Sequence, residues 1–158
     1  MEWMRASATL SPCGRYRYVL ERRWAPGGRL LVVLLNPSVA DASHGDATLS
    51  RCILRARRLG FGTLRVVNLF ALRSPDPGAL RRAADPVGPG NDAAILGALR
   101  GAGAVLCGWG NHGLLQGRAA QVRGLLQGRQ LWHLGLTARG QPRHPLYVGA
   151  AVAVQVWE

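Results

Sequence analysis

Apolar positions come in short runs whose spacing changes along the chain, and that spacing predicts the elements. Residues 16–24 (YRYVLERRW) alternate and are rich in aromatic and β-branched side chains, which predicts a strand closed by the Pro26-Gly27-Gly28 turn. Residues 29–35 (RLLVVLL) form a continuous apolar run, the pattern of a strand covered on both faces at the centre of a parallel sheet. Over residues 47–59 the period becomes helical: Leu49, Cys52, Ile53 and Ala56 share one face, and Arg51, Arg55 and Arg58 take the other. Gly60 ends that helix, and residues 64–69 (LRVVNL) predict the next strand.

Residues 73–90 hold Pro75, Pro77, Pro86 and Pro89 and read as a loop ordered by turns. A helix capped by Asn91 or Asp92 should run to Leu99, followed by a buried strand over residues 104–107 and a glycine-rich break over 108–113. A helix over residues 114–126, a strand over 130–134 and a last apolar stretch over 147–157 complete the pattern. Strands alternating with helices predict an α/β fold of three layers, α/β/α, with a mostly parallel central sheet in a single domain over residues 1–158.

Composition narrows the chemistry. The chain is 48% hydrophobic with 21 Gly and 9 Pro, which suits many short elements with tight connections. Residues 1–29 show no signal-peptide apolar region and no segment is long enough to span a membrane, so a soluble, cytoplasmic protein is expected. Cys13, Cys52 and Cys107 are odd in number and far apart, which argues for reduced, packed thiols and against a disulfide framework, a closed zinc site or an iron–sulfur cluster. His44 with Asp46 offers a metal pair, against the simpler reading of a solvated loop; no metal and no cofactor are expected.

The formal net charge is +12, and all 20 basic residues are arginine. Lysine Schiff-base chemistry is therefore excluded. Arginine forks suit phosphate oxygens, and no acid lies between Asp92 and Glu158 while Arg100, Arg118, Arg123, Arg129, Arg139 and Arg143 do, so one end of the domain should be strongly positive. A nucleic-acid partner is expected, with a compositional bias toward arginine as the plain alternative.

Two short strings follow strand-like runs, Leu35-Asn36-Pro37-Ser38 and Arg143-His144-Pro145-Leu146, and are expected at opposite ends of the sheet. In open sheets ligands bind outside the carboxyl ends of the strands, so the two can converge on one substrate. Asn68 interrupts an apolar strand, where an amide must find partners or cost about 1–3 kcal/mol; it is either held by a nearby loop or free to read the edge of a base. His144 is either a loop residue bonded to backbone or a donor to a developing anion. Residues 108–113 (GWGNHG) match G-x-G-x-x-G but lack an acid about 20 residues on to hold a ribose, although Arg129 could take a 2′-phosphate. The glycine turn can still present N–H groups to a phosphate.

These residues, in this order, resemble the uracil-DNA glycosylase superfamily from about residue 30 to 147. Leu34-Leu35-Asn36-Pro37-Ser38 stands where that superfamily has an Asp or Asn followed by Pro, Val66-Val67-Asn68-Leu69 where it has a base-reading Asn, Cys107-Gly108-Trp109-Gly110 at a strand ending in Trp-Gly, and His144-Pro145-Leu146 at a final His-Pro-Ser motif. The chain is also similar to an uncharacterised bacterial and phage family carrying L-N-P-S-x-A-D, V-V-N-L-F, W-G and R-H-P-L-Y.

The superfamily resemblance implies a monofunctional DNA glycosylase that flips a modified or damaged pyrimidine out of the stack and hydrolyses its N-glycosidic bond, in repair or in defence against phage DNA. By that resemblance Asn36 orients the attacking water, His144 stabilises the departing base, and Asn68 recognises it. Ser38 stands where efficient uracil enzymes carry a Tyr, so bulky 5-substituents should be tolerated. Phe70, Phe61 and Trp109 are the candidates to stack on the base. Leu146 replaces the final Ser, so a phosphate contact falls to Arg143 or Gly110, and Leu146 or Tyr147 would fill the vacated stack. Asn cannot act as a general base, so a slow enzyme, or one limited to bases that leave easily, is expected. A monomer acting on single- or double-stranded DNA is expected, with an enzyme of free modified nucleotides or nucleosides, or a non-catalytic nucleic-acid-binding module, as alternatives.

Overall fold

The computed structural model describes residues 3–158, so residues 1 and 2 of the expected domain lie outside the described residues. Seven strands form one sheet: β1 (Arg5–Leu10), β2 (Arg17–Arg23), β3 (Arg29–Leu34), β4 (Thr63–Asn68), β5 (Ala104–Cys107), β6 (Leu131–His133) and β7 (Gln155–Trp157), in the order β1-β2-β4-β3-β5-β6-β7. The four central strands, β4-β3-β5-β6, are parallel. Antiparallel β1 and β2 extend one edge and antiparallel β7 the other.

Strand β3 shows why the chain folds this way. Its side chains alternate between two apolar layers. Leu30, Val32 and Leu34 pack with Leu49, Cys52, Ile53 and Ala56 of helix α1 (Ala47–Arg58). Leu31 and Val33 pack with Ile95 and Ala98 of α3 (Asn91–Leu99) and with Ala119 and Val122 of α4 (Arg118–Leu125). Helices on both faces of the sheet give the expected three layers. The chain leaves β3 through α1 to β4 on one side, then returns past β3 to β5 on the other. That reversal opens a crevice at the carboxyl end of β3.

Several expectations are corrected. Asn36 and His144 do not stand at opposite ends of the sheet: Asn36 follows the central strand, and the His144 loop docks on the neighbouring β5 through Gly108 and Pro145. The helix expected over residues 114–126 is a 3-10 segment, Asn111–Gly117, and then α4, because Leu115 is extended and Gln116 and Gly117 are left-handed. A short helix, α2 (Gly78–Arg82), lies within the proline-rich loop. Only Gln155–Trp157 of the last apolar stretch is a strand, and β1 carries too little hydrophobic pattern to be seen in the sequence.

The arginine face of α1 is not simply solvated. Arg51 donates to the carbonyl of Val148 (2.9 Å), Arg58 to Ala150 (3.1 Å), and buried Arg55 to Gly149 (3.2 Å) and Val152 (2.5 Å). Arg22 likewise holds the carbonyls of Asp41 and His44, and Arg129 those of Leu99 and Ala102. The positive end expected from the sequence is thus partly consumed: Arg118 is buried, Arg129 clamps a loop, and Arg123 lies 3.9 Å from the centre of the Trp157 ring. Of the thiols, Cys52 and Cys107 are buried but Cys13 is exposed. No helix among the described residues is long and apolar enough to cross a membrane.

Candidate functional site

Asn36, Ser38, Asn68 and His144 line one cavity of about 50 Å³ at the carboxyl ends of β3 and β4, together with Arg17, Asp46 and Thr48 over an apolar floor that includes Leu20, Leu34 and Val66. Three segments far apart in sequence meet here, as the strings around Asn36, Asn68 and His144 suggested.

Asn68 is the last residue of β4 and is 0% exposed, and neither its amide nitrogen nor its amide oxygen has a protein partner. Its backbone is firmly held. The Asn91 amide donates to the carbonyls of Asn68 (2.9 Å) and Leu69 (3.0 Å), and Arg118 Nε donates to Leu69 (2.7 Å) while its Nη2 meets Asp92 at 2.7 Å. Two buried polar side chains thus anchor the end of β4. The Asn68 amide is left uncompensated on the cavity wall, a costly arrangement for a group with no task.

Asn36 is oriented by its loop. Its Nδ2 faces the carbonyls of Ser74 (2.7 Å), Pro37 (3.1 Å) and Leu72 (3.4 Å), which fixes the amide and leaves Oδ1 to accept. The same three carbonyls explain an amide at this position. An aspartate would set a carboxylate against three acceptors with no donor.

His144 caps the 3-10 turn Pro145–Tyr147, its Nδ1 accepting the Leu146 N–H at 3.1 Å, so the neutral imidazole carries its proton on Nε2. Burial pushes its pKa below the ordinary imidazole value, against a smaller opposite effect of the Asp46 carboxylate. Gly108 seats this loop. A Cβ there would stand 2.7 Å from Pro145 Cδ, so Gly108→Ala is expected to cost about 1–3 kcal/mol of stability by overpacking, read by urea denaturation.

Burial also lowers the pKa of His133. In both histidines the folded value lies below the unfolded one, so the unfolded chain takes up protons first as pH falls. Their contribution is complete above about pH 6.5 and is lost as pH drops through the folded values. Asp41 is held down to about 2, chiefly by the backbone N–H groups of Ser43 and His44, and so acts only at much lower pH. Melting temperature is therefore expected to be level from pH 8 to 7 and to decline as pH falls below about 6.5, a decline that His133→Asn with His144→Gln should flatten.

A larger cleft of about 560 Å³ adjoins the inner cavity and shares Asn36, Ser38, Thr48 and His144 with it. Its outer wall carries Trp109, Gly110, His112, Arg143, Leu146 and Tyr147, and no carboxylate of the described residues lines it. Tyr147 is 76% exposed with its ring centre 5.6 Å from that of His144, at the mouth. Arg143 is exposed, with Nη2 reaching only the Tyr147 carbonyl at 3.5 Å.

Three expected contacts are corrected. Phe70 is fully buried in the core layer shared with α3 and α4 and lines neither cavity. Phe61 packs at the opposite end of the sheet, against Gly28 and Gly103, and Trp109, although it touches the cleft wall, is 1% exposed and packed in the same core layer as Phe70. The Gly110 N–H is already donated to Pro142 (2.8 Å), and those of Gly108 and Gly113 to Val33 and Gly110. The glycine string is thus a structural turn leading into a 3-10 segment, so those three amides cannot cradle a phosphate. His44 pairs with Asp41 at 3.1 Å, not with Asp46. Asp46 instead caps α1, with Oδ1 accepting the Leu49 N–H at 2.8 Å and Oδ2 facing Ser38 Oγ at 3.5 Å.

A family model described as "Protein of unknown function (DUF1643)" matches residues 17–146. No curated protein and no solved structure matches the chain.

Proposed function

The chain belongs to the DUF1643 family, proteins of unknown function, and from that premise we propose that its inner cavity binds a modified or damaged pyrimidine and hydrolyses its N-glycosidic bond. The observation that carries this reading is the Asn68 amide, wholly buried yet unpartnered on the cavity wall. A carboxamide with one free donor and one free acceptor side by side complements the donor–acceptor edge of a pyrimidine. The order of the Asn36, Asn68 and His144 strings, which resembles the uracil-DNA glycosylase superfamily, supports the same reading.

In the reaction the bond between the base nitrogen and C1′ breaks, leaving an oxocarbenium-like sugar and an anionic base. The Nε2–H of His144 donates to an oxygen of that base as charge develops, while Asn36 Oδ1 accepts from the water that adds to C1′. The water's proton passes to solvent or to the departed base. A neutral His144 suits a donor whose partner gains charge only in the transition state. The inner cavity has room for about four water molecules by volume, enough for the reading edge of a ring, and it opens past Ser38 into the cleft. Leu146, Tyr147 and Arg143 at the cleft mouth would face the vacated stack and the flanking phosphates.

The test is single-turnover release of free base, read by mass spectrometry, from oligonucleotides bearing uracil, 5-hydroxymethyluracil or glycosylated 5-hydroxymethylcytosine, with the matching nucleosides in parallel. Release from DNA supports the glycosylase. Release from nucleosides alone assigns the pocket to free nucleosides, and release from neither overturns hydrolysis of these pyrimidines.

A further inference from the structure

Arg17 lies in β2, 4% exposed, and lines the inner cavity beside Asn68. Its Nη1 donates to the Ala40 carbonyl at 2.9 Å, its Nε has no partner, and no carboxylate of the described residues lies within ion-pair distance. Other buried arginines are differently placed: Arg118 meets Asp92, and Arg55, although its Nε is also unpartnered, spends both terminal nitrogens on carbonyls where Arg17 spends one. The two acids that act on Arg17 at longer range are committed elsewhere. Asp46 caps α1 and faces Ser38, and Asp41 accepts the N–H groups of Ser43 and His44 at 2.8 Å each. Burial without a direct counter-charge pushes the guanidinium pKa down to about 10. A cation in that position is costly unless a ligand compensates it.

We infer that Arg17 makes the inner cavity selective for a pyrimidine bearing a carboxylate, an inference that rests on the base-binding reading above. The free donors of the guanidinium take the carboxylate oxygens in charge-assisted hydrogen bonds, while the Asn68 amide reads the ring edge. A neutral base would leave the cation with no direct counter-charge, only the longer-range field of the Asp46 carboxylate that lines the same cavity. Arg17 is thus a specificity determinant on the cavity wall, separate from the His144 and Asn36 chemistry.

The experiment is calorimetric titration of the full chain with uracil, 5-carboxyuracil, orotate and benzoate. One of the two acidic pyrimidines is expected to bind about ten-fold or more tightly than uracil. Arg17→Gln should remove that preference with uracil affinity little changed, and Arg17→Lys, which keeps the charge without the fork, should retain part of it. Equal wild-type affinity for acidic and neutral pyrimidines overturns the selectivity and leaves base binding standing, whatever the variants do. Binding of benzoate but of no pyrimidine, or of none of the four, overturns both.

Discussion

Replacing Asn68 by leucine is expected to stabilise the ligand-free protein by about 1–3 kcal/mol and to abolish base release. The amide is 0% exposed and both its polar atoms lack partners, so folding removes it from water without return. Leucine has a similar size, adds no polar atom, and would face Leu20, Leu34 and Val66 across the same cavity. In a chain of 158 residues each kcal/mol corresponds to about 2–4 °C in melting temperature, so the gain is measurable by calorimetry. Asn91→Leu provides the contrast. That amide donates to two backbone carbonyls at 2.9 and 3.0 Å, and its loss is expected to destabilise by a comparable amount. Opposite signs at two asparagines of equal burial separate a group kept for a ligand from one kept for the fold. A destabilising Asn68→Leu would mean that the amide is satisfied in the folded protein.

The second large effect is kinetic. His144→Ala is expected to lower single-turnover base release by about 10²–10⁴-fold, the range for loss of a positioned donor to developing charge. Its Nδ1 is occupied by the Leu146 N–H, so Nε2 is the nitrogen that donates, and the variant loses that donor along with the turn's cap. Circular dichroism and urea denaturation distinguish the chemical loss from a fold defect. Asn36→Asp should not yield a faster enzyme, because the carbonyls of Ser74, Pro37 and Leu72 that hold the amide would repel a carboxylate. A residual rate within a factor of about three of wild type in His144→Ala would remove the histidine from the mechanism.

The elements legible in the sequence are those whose burial imposes a period. The unbroken run in β3, the 3.6-residue spacing of α1 and the apolar runs of β4 and β5 all follow from layers covering both sheet faces. Asn36, Asn68 and His144 were legible because each interrupts or follows such a run. Arg17 was not. Strict alternation puts it on the opposite face from Leu20, yet both line the inner cavity, because the β1–β2 register shifts where Leu10 pairs with Arg17 and Thr9 with Val19. For the arginines of α1, periodicity shows that they face away from the sheet, but not that the carbonyls of residues 148–152 lie over them. Phe70 lies two residues beyond Asn68 at the end of a strand that serves the site, and nearness in sequence does not reveal that it packs into the layer on the far side. The glycine string fails similarly, since only the folded backbone shows where its N–H groups are spent.

The most direct measurement is made on the Asn68 side chain itself. In an ¹⁵N-labelled protein its amide pair is assigned as the one missing from Asn68→Leu, and free 5-hydroxymethyluracil or 5-carboxyuracil is then titrated in. The account requires that this pair shift on binding while that of Asn91, held by backbone carbonyls, stays in place. An Asn68 pair unmoved at saturating base in the folded protein would contradict the assignment of this cavity to a pyrimidine.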